Sequence, residues 1–370
     1  MLKVLGLIDS GFVGGGQTNV ISISRNLDKK IIEFIIAANP EGGFKDLVKK
    51  FSLPFRDIFL PKIFKSKALK ELQTLIKKED IGFIHSFGGV AGVYSRMAKK
   101  KNPKLKVVHT IHGIHYLQKN IFVRLISMWT EQYLVKYSDI IIITSDTDYK
   151  KALKLKIIDP PKTVLIKNGI DLKKFHVEPD ENLKLKLGIK KDDFVIGNVS
   201  RFDFQKNQRY LIKVFAKLAK GKPDLKLLLV GNGAHKAECE KQVEELNIKD
   251  KVIFTGAVGD PQNYYPLIDI YVFPTLWEGF SIMLIETLAA KRCLVVSALE
   301  ENKELVKDNY NGFTFDLNDE ISLIEKIEML MNDPELRRRF SENAFKESEK
   351  YSEESMAKKF QDLYLKVSSK

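Results

Sequence analysis

Two cations in the second half of the 370-residue chain have types and spacing that suit an anionic ligand. Arg201 and Lys206 follow the apolar run FVIGNVS and precede a predicted helix. At the carboxyl end of a strand, such a pair can neutralise a diphosphate, since Arg binds it bidentately and Lys acts as a point charge. Taken alone, the pair is more simply interpreted as two solvated surface cations.

Two carboxylates follow in the segment WEGFSIMLIE. We expect Glu278 to lie in a loop and a helix to begin near Ser281. The unbonded N–H groups of that first turn and the helix dipole favour an anionic or hydroxyl-rich ligand. Glu286 would lie in the second turn, where it could accept hydrogen bonds from two vicinal hydroxyls, as in a ribose. The alternative is a helix with one buried and one exposed glutamate.

A glycine cluster, Gly14 to Gly16, stands between the first predicted strand and a helix. Such a turn lets backbone approach a phosphate at a helix N-terminus. Asn19 occupies the place where the dinucleotide fingerprint G-x-G-x-x-G needs its third glycine, and no G-K-[ST] follows. The cluster therefore argues against a Rossmann-type dehydrogenase, and a tight strand-to-helix turn remains its alternative meaning.

Strand and helix patterns alternate along both halves of the chain. Its length and composition, with 44% hydrophobic and 29% charged residues, fit a two-domain globular protein. Alternation of this kind predicts an α/β protein of two doubly wound, Rossmann-like domains facing each other across a cleft. We place the domains at residues 1–170 and 171–350, with a helix in 351–370 that packs back on the first domain. Further helices are expected at 66–78, 120–137 and 262–267.

The order of these motifs resembles the retaining nucleotide-sugar glycosyltransferases of family 4, which have the two-domain GT-B fold. The resemblance covers nearly the whole chain. Beside the glycine loop, Arg-x4-Lys and Glu-x7-Glu, further segments stand in the family's usual places: DIIIITS, NGID at 168–171, VGNG at 230–233, VIFTGAV at 252–258 and DIYVFPTLWEGF at 269–280.

The resemblance implies roles for individual residues. Arg201 and Lys206 match the diphosphate-binding pair, Glu278 the glutamate near the donor sugar, and Glu286 the glutamate that holds the ribose. His112 matches a histidine near the transferred sugar, so that the implied catalytic group is Glu278, His112, Arg201 and Lys206. Other implied donor contacts are Gly16, Gly231, Val258, Phe280, Ser281, Ile282 and Met283. Ser281 and Met283 depart from the Gly and Pro common in the family, which leaves the donor sugar open.

The implied reaction moves a hexosyl or N-acetylhexosaminyl group from a nucleotide-diphosphate sugar to an acceptor hydroxyl with retention. No D-x-D pair follows a predicted strand of the second half, so fixed cations and a helix N-terminus would stabilise the leaving diphosphate without a metal. His109, His112 and His115 are not interpreted as a metal site, because their strand-to-loop spacing spreads them and no carboxylate accompanies them. We predict no cofactor, and we favour a UDP-sugar over a GDP-sugar donor.

Charge is distributed unevenly along the chain. Residues 1–170 hold 29 Lys and Arg against 14 Asp and Glu, whereas residues 171–370 hold 32 against 34. We expect the first domain to bind a glycan or lipid-linked acceptor and to meet an anionic membrane surface through the Lys-rich segment 61–78, with Tyr116, Phe122 and Trp129 nearby. A soluble acceptor, with the apolar stripe of 61–78 facing the core, is the alternative.

The expected place of action is the cytoplasm, at the inner face of the cell membrane, in polysaccharide, lipopolysaccharide or glycolipid assembly. No signal peptide or transmembrane run is evident, and Cys239 and Cys293 are expected to be reduced thiols. Two other functions stay open. One is a nucleotide-sugar isomerase or epimerase of the same fold, and the other is a basic nucleic-acid-binding protein, although no recognition motif supports nucleic acid as a partner.

Overall fold

Continuous apolar runs of the sequence form the strands of two parallel sheets. The structure, a computed structural model, describes residues 1–369. The chain divides into one unit of Met1–Ile170 with the segment from Tyr351 onward, and a second unit of Asp171–Lys350. Both units have a parallel sheet flanked by helices, which confirms the predicted α/β fold class.

The first unit has a seven-stranded sheet in the order β3-β2-β1-β4-β5-β6-β7. Its strands are β1 (Leu2–Ile8), β2 (Ile32–Ala38), β3 (Phe55–Asp57), β4 (Phe83–Phe87), β5 (Lys106–Ile111), β6 (Ile140–Ile143) and β7 (Thr163–Leu165). Its first six helices are α1 (Gly15–Asn26), α2 (Phe44–Lys50), α3 (Ser66–Lys78), α4 (Gly89–Lys101), α5 (Ile121–Leu134) and α6 (Asp146–Lys154).

Helices cover both faces of this sheet, because successive residues of a strand point to opposite sides. Val4 of β1 packs in one core cluster with residues of α1, and Leu5 packs in another with residues of α3 and α4. The apolar stripe of α3, including Leu69 and Leu72, is buried in that second cluster. For α3, the core-facing alternative is therefore the one that the structure shows.

The second unit has a six-stranded parallel sheet in the order β10-β9-β8-β11-β12-β13. Its strands are β8 (Phe194–Val199), β9 (Leu225–Val230), β10 (Val252–Phe254), β11 (Ile270–Phe273), β12 (Cys293–Ser297) and β13 (Phe313–Phe315). Its helices are α7 (Glu181–Lys186), α8 (Gln208–Leu218), α9 (Lys236–Glu245), α10 (Ile282–Ala289), α11 (Glu300–Lys303), α12 (Glu320–Asn332) and α13 (Pro334–Ser348). Strand order reverses between β8 and β11, and such a switch point is where ligands bind in these sheets.

The last helix, α14 (Glu353–Ser368), belongs to the first unit and packs against α1. The N–H of Ile170 donates to the carbonyl of Tyr351 at 2.9 Å, and the N–H of Glu353 donates back to Ile170 at 2.9 Å. Gly169 allows this approach, since a Cβ there would lie 2.5 Å from the carbonyl oxygen of Ser352. The segment that enters the second unit and the one that leaves it are thus hydrogen-bonded to each other.

Two predicted helices are shorter than expected. The segment 262–267 forms two 3-10 turns, Pro261–Asn263 and Tyr265–Leu267, rather than one helix. Proline lacks the N–H that an α-helix interior needs, and Pro261 is the first residue of one turn while Pro266 is the second residue of the other. The segment 120–137 is helical only to Leu134 and ends in a 3-10 turn. Among residues 1–369, no helix combines the length and apolarity needed to span a membrane.

The hydrogen bond between Tyr364 of α14 and His85 of β4 provides a test of how α14 stabilises the first unit. The Tyr364 hydroxyl lies 2.5 Å from His85 Nδ1, and both side chains are fully buried. The Tyr364→Phe variant should lower the free energy of unfolding by about 1–3 kcal/mol, because it leaves a buried ring nitrogen without this partner. Urea denaturation measures the loss. Exposed Tyr310 provides the control, and an equal loss in Tyr310→Phe would contradict the assignment.

Candidate active site

Two loops of the second unit lie side by side at the carboxyl edge of its sheet. One follows β8 and the other follows β11, and these strands are paired. The Gln205 side-chain amide donates to the carbonyl of Trp277 at 2.7 Å, and the N–H of Leu276 donates to the carbonyl of Gln205 at 2.8 Å. Residues 72 positions apart in the sequence, Lys206 and Glu278, are thereby brought together.

Lys206 and Glu278 form a buried ion pair. The Lys206 ammonium donates to Glu278 Oε1 at 2.5 Å, and the exposed fractions of the two side chains are 4% and 7%. The hydroxyl of Thr275 donates to the same oxygen at 2.9 Å, and the ammonium lies 5.0 Å from the ring centre of Phe273. Buried charges need such compensation, so both groups are held in fixed positions.

Arg201 lies in the same loop as Lys206 but in a different environment. Its side chain is 66% exposed and forms an ion pair with Asp203 at 3.1 Å. Asp203 also accepts a hydrogen bond from the backbone N–H of Lys206 at 3.2 Å. The sequence places both cations after β8, and the structure adds that Arg201 is an exposed charge paired with Asp203, whereas Lys206 is fixed by burial.

Helix α10 begins where the sequence predicts, with Ser281 at its N-cap. Phe280, Ser281 and Ile282 are buried, and Met283 is half-buried. The Ser281 hydroxyl makes no hydrogen bond within residues 1–369 and does not cap the helix. The N–H groups of the first helical turn have no intrahelical acceptors, so they suit an anionic group.

Glu286 lies in the second turn of α10, as predicted, and is half-buried. The hydroxyl of Tyr265 donates to its Oε2 at 2.7 Å. Burial raises the pKa of the Glu286 carboxyl to about 7, although the hydrogen bond from Tyr265 and the charge of Lys174 act in the opposite direction. The carboxyl therefore changes its ionisation near neutral pH.

Gly231 brings the chain after β9 against the chain after β8. Its φ is +135°, and a Cβ there would lie 2.1 Å from the carbonyl oxygen of Ser200, so another residue would force the two loops apart. The N–H of Gly231 donates to the carbonyl of Gly256 at 3.1 Å. Val258, two residues further on, is half-buried in the loop that follows β10.

Two of the predicted site residues, Gly16 and His112, belong to the first unit. Gly16 is half-buried in the first turn of α1, and a Cβ there would lie 3.7 Å from Ile8. His112 follows β5 and stacks on Phe87 with 5.9 Å between ring centres. Its Nε2 is buried and makes no hydrogen bond to any described residue. Burial and the neighbouring His115 lower the pKa of His112 to about 4, so its ring is neutral at pH 7.

The other histidines near β5 have separate surroundings. His109 Nδ1 lies 3.1 Å from the Ser86 hydroxyl, and its ring fills the space beside Gly92. His115 is exposed. His85 bonds Tyr364 and Thr110 and is fully buried. Burial lowers the pKa values of His85 and His109, so both act as neutral core residues.

Two family models together match most of the chain. The model described as Glycosyl transferases group 1 matches residues 179–347, and the one described as Glycosyltransferase Family 4 matches residues 13–174. The chain is also 31% identical over 296 residues to the UDP-Gal:alpha-D-GlcNAc-diphosphoundecaprenol alpha-1,3-galactosyltransferase of Escherichia coli, with 78% of this chain and 76% of that protein covered. The chain belongs to glycosyltransferase family 4.

Further relatives of this glycosyltransferase agree in sequence and in fold. It is 30% identical over 237 residues to the N-acetylgalactosamine-N,N'-diacetylbacillosaminyl-diphospho-undecaprenol 4-alpha-N-acetylgalactosaminyltransferase of Campylobacter jejuni, with 64% of this chain and 62% of that one covered. The crystal structure of HepE from Anabaena in complex with UDP-glucose has a TM-score of 0.86 at 19% identity and covers 99% of this chain and 100% of its own.

These matches support a glycosyltransferase of polysaccharide or glycolipid biosynthesis. They do not favour the isomerase, dehydrogenase or nucleic-acid-binding alternatives. The similar solved structures are glycosyltransferases of the GT-B fold, which agrees with the fold expected from the sequence.

Sequence reasoning missed several side chains that organise this site. Thr275 fixes the Glu278 carboxylate, Phe273 faces the Lys206 ammonium, and Tyr265 bonds Glu286. No spacing rule points to Tyr265, which stands 21 residues before its partner. The role of Asp203, in contrast, was predictable from the sequence, because an Asp three residues before Lys206 fits the N-cap pattern of a short helical turn.

The buried ion pair predicts a coupling between two substitutions. Lys206→Met should lower the free energy of unfolding by about 3–5 kcal/mol, because it leaves the Glu278 carboxylate buried without its cation. Adding Glu278→Gln should restore a large part of that loss, and urea denaturation of the four proteins measures the coupling. Arg201→Met, at an exposed site, should cost less than about 1 kcal/mol. Additive losses in the double variant would contradict the pairing.

Proposed function

We propose that this glycosyltransferase moves a sugar from a UDP-sugar to a hydroxyl of a lipid-diphosphate-linked glycan, with retention of configuration and without a divalent metal. The observation that carries the proposal is the buried Lys206–Glu278 pair beside Arg201 at the carboxyl edge of the second sheet. This arrangement offers one exposed and one buried positive charge for a diphosphate and an oriented carboxylate for sugar hydroxyls.

The nucleotide part of the donor suits the groups around α10. The Glu286 carboxylate, oriented by Tyr265, can accept hydrogen bonds from both ribose hydroxyls. The first-turn N–H groups of α10 can bind the diphosphate, as helix N-termini do. HepE, a protein of the same fold, was solved with UDP-glucose, which supports a UDP-sugar as the donor.

In the proposed mechanism, charge on the leaving diphosphate grows as the glycosidic bond breaks. Arg201, Lys206 and the start of α10 stabilise that charge electrostatically in place of a metal ion. The Glu278 carboxylate holds the sugar hydroxyls, because Lys206 and Thr275 fix its orientation through Oε1. We propose that the acceptor hydroxyl attacks the anomeric carbon from the same face from which the diphosphate departs, and that its proton passes to the departing phosphate oxygen as the glycosidic bond breaks. We also propose that neutral His112 makes a hydrogen bond near the transferred sugar.

The acceptor proposal draws on relatives and on charge. Both sequence relatives described above carry diphosphoundecaprenol or diphospho-undecaprenol in their names. The excess positive charge of residues 1–170 would attract a lipid diphosphate and the anionic lipids around it. We propose action at the cytoplasmic face of the cell membrane.

A transfer assay tests this function directly. The purified protein is incubated with a synthetic polyprenyl-diphosphate-linked sugar as the acceptor. UDP-sugars and GDP-sugars are supplied as donors in separate reactions. We expect transfer from a UDP-sugar, with NMR of the product showing the anomeric configuration of the donor. Exclusive use of a GDP-sugar, an inverted product, or conversion of the donor to another sugar nucleotide without acceptor would each contradict the proposal.

Arg201 provides a prediction with a matched control. Arg201→Ala should lower kcat/KM by about 30-fold to 1,000-fold, since one charged contact to the leaving diphosphate contributes about 2–4 kcal/mol in the transition state. Arg209 is similarly exposed and is paired with Glu238 on the next helix, so Arg209→Ala should transfer at nearly the wild-type rate. Steady-state kinetics measures kcat/KM for both variants. An equal loss in the two variants would contradict a role for Arg201 in the site.

The raised pKa of Glu286 leads us to predict that donor binding depends on pH. Its carboxyl has a pKa of about 7, and ribose hydroxyls donate to the ionised form, so affinity should rise as pH rises through 7. From about pH 6 to pH 8, the Kd for UDP-glucose should fall about tenfold, because the ionised fraction rises by that factor. UDP-glucose suits this test because its diphosphate does not titrate in this range. Calorimetry with Glu286→Gln should show a weaker and pH-independent Kd, whereas a pH-dependent Kd in that variant would contradict the role.

A further inference from the structure

Helix α5 carries its apolar residues on the outside of the first unit. Only two of its fourteen residues, Glu131 and Leu134, are buried. Four large side chains at positions i, i+4, i+7 and i+11 form one exposed stripe: Phe122, Ile126, Trp129 and Tyr133. Phe122 is 76% exposed, whereas a helix on a globular protein ordinarily turns such a stripe toward the core.

Buried polar contacts hold α5 in this orientation. Arg96 of α4, which is fully buried, donates to both oxygens of Glu131 at 2.8 and 2.9 Å. The Gln132 side chain donates to the carbonyl of Leu155 at 2.8 Å. The polar side of α5 therefore faces the protein, and its apolar side faces outward as a consequence of specific bonds rather than of loose packing.

A groove extends the exposed stripe. A cavity of about 370 Å³ lies between α4 and α5, and Val93, Met97 and Trp129 are among its lining residues. Phe64, which stacks on Tyr94 with 5.2 Å between ring centres, also lines the groove. The preceding residue, Ile63, is 80% exposed. The helix stripe, the groove and residues 63–64 are called the α5 surface below.

Cations surround the α5 surface. Lys100 donates to the Tyr133 hydroxyl at 2.6 Å, and the Lys136 ammonium lies 4.5 Å from the same ring centre. Residues 119–137 contain Lys119, Arg124 and Lys136 but one acidic residue, Glu131, whose carboxylate is bonded to Arg96. Residues 61–70 add four lysines and no acidic residue. An apolar stripe with Trp and Tyr inside a basic rim is the arrangement that favours an anionic lipid surface.

We propose that the α5 surface docks the protein on an anionic bilayer, with Phe122, Ile126 and Trp129 inserted among the acyl chains and the basic rim against the headgroups. At about 1.5 Å per residue, α5 spans about 21 Å, which suits a helix lying in the interface plane. A second copy of the chain is a poorer occupant, because two basic rims would repel each other. The proposal rests on the proposed function, since a lipid-linked acceptor lies in a membrane.

Vesicle binding tests the α5 surface without donor or acceptor. Wild-type protein should co-sediment with phosphatidylglycerol vesicles, remain in the supernatant with phosphatidylcholine vesicles, and be released by high salt. The double variant Phe122→Ser/Ile126→Ser should bind phosphatidylglycerol at least about tenfold more weakly, because it removes the inserted apolar groups. The matched control is Leu185→Ser/Ile321→Ser, which alters two equally exposed apolar residues of the second unit and should bind like the wild type.

Fluorescence gives a second readout. Lipids brominated on their acyl chains should quench the emission of Trp129, so that quenching persists in Trp277→Phe and disappears in Trp129→Phe. The proposal would be overturned if the Phe122→Ser/Ile126→Ser variant bound vesicles as well as the wild type while Lys65→Glu/Lys67→Glu/Lys70→Glu lost binding. That result would place the membrane contact at α3 instead. A wild-type dimer in sedimentation that the α5 variant dissociates would also overturn the proposal.

UDP titration separates this proposal from the proposed function. The α5 variant should bind UDP with the wild-type Kd, which also shows that it is folded. If wild-type protein binds vesicles through α5 but no UDP, the donor proposal fails while the docking surface stands. If it binds UDP but no anionic vesicles, the docking surface fails while the donor proposal stands.

Discussion

The ion pair between Lys206 and Glu278 is the interaction on which the candidate active site depends. It joins the loop after β8 to the loop after β11 at the point where the strand order reverses. Removing two charges from water costs several kcal/mol each, and here Thr275 and Phe273 add to their mutual attraction. Because this pair fixes both loops, Glu278 is held rigidly. The start of α10, which comes after Glu278 in the same loop, is therefore also held in position.

Charge acts at two length scales in this protein. The second half has two more acidic than basic residues, yet two cations of one loop, Arg201 and Lys206, give it positive charge that suits a diphosphate. The excess of positive charge lies in residues 1–170, where it acts over about a Debye length on anything anionic. In the proposed function, diphosphate recognition is therefore local, whereas attraction to a membrane or a lipid acceptor is a property of a whole surface.

The sequence predicted the elements of the fold better than the environment of single side chains. The segment WEGFSIMLIE was sufficient to place the start of α10, and the apolar period predicted α3 to the residue. The burial of Lys206 was not visible, because its partner is 72 residues away. The periodicity of α5 predicted a helix but not which way its stripe faces, since the distant contact between Arg96 and Glu131 decides that orientation.

In the proposed function, Arg201 and Lys206, rather than a divalent metal, hold the donor diphosphate. Calorimetric titration of UDP in buffer containing EDTA, repeated with excess magnesium or manganese, tests this most directly. We expect tight binding in EDTA and a Kd that changes by less than about twofold when metal is added, corresponding to about 0.4 kcal/mol. Binding that disappears in EDTA and returns with metal would contradict it.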